Sequence, residues 1–273
     1  MSKTILLIHG AWLNGHSWEG FRSRYEAKGF RVVAPSWPHD ERSPAELRAS
    51  PHEDLRNVGI QRIVDRYESE IRALPEEPII VGHSAGGVFT QTLLDRGHGV
   101  AGVAINPAPT AGVPLGRHAV VSALPVFLSF GSWRRVMTMS RRFFGRRFAQ
   151  TLPKSEQDAA YDRYIVPTPG KVYWDGIVNP GGRIRWDNPD RAPLLLIGGG
   201  LDLIADASMT EAIYRKQKQA GSRTDLKIFP ERSHWTCLDR GWEEVADYAL
   251  DWAVQNARPG AGKVRPLGAA RTA

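Results

Sequence analysis

The chain has 273 residues, 42% of them apolar, which suits one large buried core and excludes disorder over the whole length. Its net charge of +7 is uneven: residues 107–191 hold 13 Lys/Arg against 6 Asp/Glu, residues 257–273 hold 4 against none, and the remainder sums to −4. The excess describes those two segments, so a general appetite of the domain for nucleic acid is not expected.

The opening MSKTILLIHG carries one lysine and a short apolar run with no small-residue cleavage site after it, so no secretory leader is expected. A run of about 18 apolar residues is absent from the sequence, and no membrane span is expected. The single cysteine, Cys237, closes no disulfide within the chain, which fits a reducing compartment. A cytoplasmic location follows as the expectation.

In chain order, short apolar runs recur at Ile5–Ile8, Arg31–Ala34, Pro78–Val81, Val100–Ile105, Pro193–Ile197 and Leu226–Phe229. Each is nearly continuous in its hydrophobicity, the pattern of a strand covered on both faces, so six strands of a mostly parallel sheet are predicted. Between them lie helical periodicities, clearest from Leu55 through Val58, Ile63, Tyr67 and Ile71 to Leu74, and again from Trp242 through Val245, Tyr248 and Ala249 to Trp252. The alternation predicts an α/β class fold, doubly wound by right-handed crossovers. The rhythm fails over residues 107–191, a stretch too long for an ordinary connection, and an inserted helical lid is expected there. The core would then comprise residues 1–106 and 192–256. The ending 257–273, rich in Gly, Pro, Ala and Arg, reads as a disordered basic tail.

The segment PIIVGHSAGG, residues 78–87, sets Ser84 between a predicted strand and the helical run Val88, Phe89, Leu93, Leu94. A strand that turns abruptly into a helix brings neighbouring backbone too close for side chains, and Gly82 and Gly86 remove them. Ser84 would stand at the helix N-terminus, where exposed N–H groups favour negative charge. A nucleophilic serine needs a base and the base an orienter. After PLLLI comes GGGLDLIAD with Asp202; after LKIF comes PERSHW with His234, giving the chain order Ser84, Asp202, His234 expected on this architecture. Asp206 is the weaker acid because it falls at the start of the next helix, and the position after the fourth strand holds Asn106, which has no charge. His83, His98 and His118 lie on the wrong strands or in the lid, while His39 is a second-line candidate for substrate contact. The oxyanion donors are expected to be the amides of Ala85, next to the nucleophile, and Ala11, in the turn LLIHGAW. Trp12 and Trp235 are candidate substrate-binding residues, lining an acyl pocket.

In the lid, SWRRVMTMSRRFFGRRFAQ reads as an amphipathic helix with Arg134, Arg135, Arg141, Arg142 and Arg146 on one face and Trp133, Val136, Met137, Phe144 and Phe148 on another. The plain reading is a solvated lid whose apolar side covers the site. Guidance of an anionic substrate and docking on acidic membranes or partners stay open. The segment YIVPTPGKVYWDGI, with two Pro and a cluster of aromatics, reads as an ordered lid loop above the serine, with no individual residue roles legible. The histidines show no metal-ligand spacing, so no metal is expected.

The motifs HGAW, GHSAGG, GGGLD and SHW, in that order, resemble the α/β-hydrolase superfamily over roughly residues 3 to 256. The opening HGAWLNGHSWEGF and the elbow GHSAGG are similar to the branch of small esterases, plant-type methylesterases and hydroxynitrile lyases. The resemblance implies a cofactor-free Ser-His-Asp enzyme with a lid after the fourth strand. Serine at the nucleophile position disfavours haloalkane dehalogenases and epoxide hydrolases. A hydrolase of small-molecule carboxylic esters or lactones is therefore expected. The alternatives are the same triad turned on another bond, as in a hydroxynitrile lyase, C–C hydrolase or amidase, or a receptor without turnover. Oligomeric state is not legible.

Overall fold

In a computed structural model, which describes residues 2–178 and 182–259, the six expected strands form one sheet. They are β1 (Thr4–Ile8), β2 (Arg31–Val33), β3 (Ile79–His83), β4 (Ala101–Ile105), β7 (Leu194–Gly199) and β8 (Thr224–Phe229), all parallel, in the order β2-β1-β3-β4-β7-β8. Two two-residue strands, β5 (Val136–Met137) and β6 (Thr168–Pro169), pair antiparallel apart from it. The helices, in chain order, are α1 (Glu19–Ala27), α2 (Pro44–Ala49), α3 (Ile60–Ala73), α4 (Ala85–Asp95), α5 (Arg117–Phe127), α6 (Arg141–Phe143), α7 (Lys154–Tyr164), α8 (Lys171–Val178), α9 (Ala207–Gln217) and α10 (Trp242–Asn256).

Strand alternation sorts the core into two layers. Ile5, Leu7, Ile79, Val81, Val103 and Ile105 meet Phe21 and Tyr25 of α1 and the apolar side of α10. Leu6, Ile8, Ile80, Ala104, Leu194 and Leu196 meet α3, α4 and α9. Because both faces of β1, β3, β4 and β7 are covered, these four strands carry no polar stripe and are continuous apolar runs in the sequence, while the edge strands β2 and β8 keep partly exposed polar residues. The chain leaves β1 toward one edge and β3 toward the other, so the crevice at the carboxyl ends of β1 and β3 is the topological switch point of the sheet.

Between β4 and β7 the chain builds α5 to α8 and the β5–β6 pair. The single amphipathic helix expected around residues 132–150 is instead four pieces: a 3₁₀ turn at Ser132–Arg134, strand β5, the one-turn α6, and a π-helical turn at Phe144–Phe148. Two local effects break it. Val136–Met137 are drawn into pairing with Thr168–Pro169, and the Ser140 side chain accepts the Phe143 amide, which starts a new helix at Arg141. Its arginines serve different ends, Arg141 pairing with Asp162 at 2.5 Å while Arg147 donates to the carbonyls of His118 and Leu203. The expected tail, residues 257–273, lies outside the described residues from 260 onward; before that, the Arg258 amide donates to the Val100 carbonyl at 2.9 Å.

Candidate active site

Ser84 sits between β3 and α4 with φ 57° and ψ −119°, a backbone conformation that non-glycine residues seldom adopt. Three bonds hold it there: its amide donates to Ile105 O at 2.9 Å, and its carbonyl accepts from Gly87 at 2.9 Å and Ala108 at 3.0 Å. The sharp turn folds Gly86 back onto Gly82 and β1. A Cβ at Gly82 would overlap the Gly86 carbonyl, and one at Gly86 would overlap the Ile8 carbonyl. The two flanking glycines are therefore demanded by backbone packing. Gly10, in the turn after β1, approaches just as closely, since a Cβ there would lie 2.7 Å from Ser84 Cβ. Behind the serine, α4 is buried on all sides, and its polar Thr90 and Gln91 are satisfied by carbonyls one turn back, Gly86 and Gly87.

Asp202 and His234, both fully buried at the side chain, meet through His234 Nδ1–H and Asp202 Oδ2 at 2.7 Å. The second carboxylate oxygen accepts the amides of Ile204 at 2.7 Å and Ala205 at 2.8 Å, so the acid is fixed at both ends. His234 Nε2, the nitrogen left for a substrate proton, is buried with no hydrogen-bond partner, the Ser84 hydroxyl included. Phe148 closes over this imidazole edge-on, ring centroids 4.7 Å apart.

Two polar side chains tie the His234 loop to the ends of β3 and β4, and neither was legible as doing so in the sequence. His83 Nε2–H donates to the His234 carbonyl at 2.9 Å, and Asn106, itself at φ 44°, donates to the Ser233 carbonyl at 3.0 Å. Burial, with His234 close by, holds the His83 pKa well below the ordinary imidazole value, so the ring stays neutral and keeps this single donor arrangement. The nearest sequence signal was that His83 ends β3 and Asn106 follows β4, both at the sheet edge that carries Ser84.

The turn after β1 is fastened from several directions. His9 Nδ1–H donates to Gly10 O at 2.9 Å and its Nε2 accepts the Trp37 amide at 3.1 Å; burial pushes its pKa down to about 4. Trp12 adopts φ 69°, with its amide given to Thr168 Oγ1 at 2.8 Å and its carbonyl accepting from Val166 at 3.0 Å. The segment YIVPTPG, expected as an ordered loop without assigned roles, thus clamps the residue beside the expected oxyanion donor. The Ala11 amide has no acceptor among the described residues. Ala85 opens α4, where a first-turn amide has no intrahelical acceptor.

The remaining candidates are placed elsewhere or otherwise engaged. Asp206, the alternative acid, precedes α9 and accepts the Ala119 amide at 3.1 Å. His39 stacks on His52 and accepts from Arg62, away from these contacts. Trp12 is buried with its indole N–H on the Tyr173 hydroxyl at 2.7 Å, and Trp235 is boxed by Phe144, Phe148 and Tyr164. His98 is buried near Glu68 and Glu77, and His118 lies on α5.

A family model described as the alpha/beta hydrolase family matches residues 5–248. The chain belongs to the α/β-hydrolase family. No curated protein is similar to it in sequence. Among solved structures, this hydrolase is similar to a monoacylglycerol lipase from Paleococcus ferrophilus, with 19% identity over 93% of this chain and 95% of the other and a TM-score of 0.64. A methylesterase from Arabidopsis shares 14% identity over 92% and 99%, with a TM-score of 0.67. An extracellular α/β-hydrolase from a Paenibacillus species shares 17% over 94% and 99%, with a TM-score of 0.68. Identities this low establish a common fold and carry no substrate with them.

Proposed function

We propose that this hydrolase cleaves a carboxylic ester or lactone through a Ser84-His234-Asp202 triad and an acyl-enzyme. The observation that carries the reading is the buried His234–Asp202 pair at 2.7 Å, with the imidazole Nε2 uncommitted at the sheet edge where Ser84 is held at φ 57°. A serine hydroxyl is a weak nucleophile until a base takes its proton. His234 Nε2 accepts that proton as Ser84 Oγ attacks the carbonyl, and Asp202 keeps the tautomer with the proton on Nδ1 and balances the imidazolium. Rotation of the serine hydroxyl toward Nε2 on substrate binding completes the contact, since such bonds tighten in the loaded enzyme.

The amides of Ala11 and Ala85 hold the oxyanion. Trp12 is a poorer donor because Thr168 already takes its amide. The leaving alcohol takes the proton from His234; water then attacks the acyl-enzyme with His234 as base again. We assign residues 107–191 as a lid whose Phe148 shields the imidazole. Trp12 and its neighbours supply an apolar wall that favours apolar acyl or alcohol groups over small polar ones. The single buried Cys237 supports a cytoplasmic setting.

Turnover of p-nitrophenyl esters by wild type and by Ser84→Ala tests the proposal. Hydrolysis by the wild type that vanishes in the variant is expected; equal turnover by both discards the triad. A parallel cyanohydrin screen separates ester cleavage from lyase chemistry.

A further inference from the structure

Helix α5 is apolar on its solvent side as well as its inner one: Val120, Val121 and Leu124 are exposed, Ala119 and Val126 are buried, and Ser122 turns to the protein. The Ala119 amide reaches Asp206 at 3.1 Å, the Ser122 hydroxyl reaches Leu203 O at 2.9 Å, and Arg147 bonds Ser122 Oγ and His118 O from below. The apolar surface continues past the helix to Leu128 and Phe130, which are 78% and 89% exposed, and to Trp133. Aliphatic side chains gathered this densely on a water-facing helix mark a contact surface.

Its electrostatic setting says what kind. From Arg96 to Ser155 the sequence contains no Asp or Glu. Arg117 opens the exposed side of α5, and Arg134 and Arg135 follow Trp133, with Arg135 Nη1 donating to Phe130 O at 3.4 Å. None of these three forms an ion pair among the described residues. The carboxylates that approach from other elements are already engaged, Asp206 by Ala119 and Asp175 by Lys171 at 2.8 Å. Apolar side chains ringed by unpaired guanidinium groups fit a surface with anionic heads over an apolar interior. A second copy of the chain fits poorly, because a twofold contact would set these arginines against their own images. Nucleic acid fits less well, since the two exposed aromatics, Phe130 and Trp133, pack edge to face on each other, and the aliphatic Val120, Val121, Leu124 and Leu128 beside them offer bases nothing to stack on.

An aromatic path leads inward from the same patch. Phe130 meets Trp133 (5.8 Å between centroids), Trp133 meets Trp174 (5.5 Å), Trp174 meets Phe127 (5.2 Å), and Tyr173 links Phe127 (6.3 Å) to Trp12 (6.0 Å). The exposed end is thus joined by side-chain contacts to the turn beside Ala11.

We propose that the outward face of α5 and the loop after it, residues 120–135, dock on an anionic phospholipid surface. The inference stands independently of the triad. No described helix is long and apolar enough to cross a membrane, so the contact is a peripheral one.

Flotation of the full chain with vesicles of phosphatidylcholine, alone or mixed with phosphatidylglycerol, tests it. Binding is expected only to the mixed vesicles, weakening as salt rises. Leu128→Asp and Phe130→Asp should each lower partitioning about ten-fold or more. Arg134→Ala and Arg135→Ala should each lower it about five-fold. Because all four side chains are exposed, the melting temperature should stay that of the wild type. Failure to float with mixed vesicles, equal binding to phosphatidylcholine alone, or binding indifferent to all four substitutions overturns the proposal. So does a concentration-dependent dimer that Leu128→Asp dissolves, which would give the face to a second copy.

Discussion

The central sheet and the segment inserted between β4 and β7 rest on different forces. Strands β1, β3, β4 and β7 are buried along their whole length and bond each other backbone to backbone, so the rim bearing Ser84 and Asp202 is set by the ladder, with the His234 loop fastened to it by His83 and Asn106. The inserted segment is pinned at separate points by side chains gripping backbone: Thr168 on the Trp12 amide, Arg147 on Leu203 O, Asp206 on the Ala119 amide, and Arg48 on Ile165 O at 2.6 Å. Each pin is worth about 1 kcal/mol net, whereas a displaced strand disrupts the whole ladder. Substitutions in the core should therefore abolish function or folding, and those in the insertion should change them by degree.

The largest break is expected at the acid. Asp202→Asn removes the charge that orients His234 and should lower kcat by about 10⁴-fold while circular dichroism stays native; a loss under ten-fold would show that the acid lies elsewhere. Next comes Gly86→Ala, whose added methyl meets the Ile8 carbonyl and which should cost at least about 3 kcal/mol, read as a lower urea midpoint.

A third test uses pH. His9 is neutral in the fold with its pKa lowered from 6.5 to about 4, so below pH 6.5 the unfolded state binds a proton that the native state refuses. Stability from this group is present above pH 6.5 and lost as pH falls toward 4, about 2 kcal/mol by pH 5; buried His83 acts in the same direction. Urea denaturation across that window measures it, and His9→Asn should flatten the slope.

Smaller effects belong to the insertion. Thr168→Val strands the Trp12 amide and should slow turnover about ten-fold with little change in KM, while Thr168→Ser restores the rate. Asp206→Ala, which frees one end of α5, should cost about 1 kcal/mol of thermal stability and leave kcat near wild type.

The same division governs what could be read from the amino acids. Strands covered on both faces write themselves as unbroken aliphatic runs, and the elbow glycines mark a backbone collision, so six strands and the Ser84 turn were legible. The meeting of Asp202 with His234 could be anticipated because each follows a strand at the same end of the sheet. Thr168 could not, since its partner is a single amide 156 residues away that leaves no periodic trace. His83 gave no signal that it serves the backbone of His234. The stripe of arginines around residues 134–146 mimicked a helix until the pairing of β5 with β6 divided it. Local periodicity reports layers, and side-chain-to-backbone pins between distant segments lie beyond it.

Fluorophosphonate labelling with peptide mapping reads directly whether Ser84 is the activated nucleophile. One adduct is expected, on Ser84, formed rapidly by the wild type, absent from Ser84→Ala and strongly slowed in His234→Ala. An adduct on another residue, or labelling of Ser84→Ala at the wild-type rate, would contradict it.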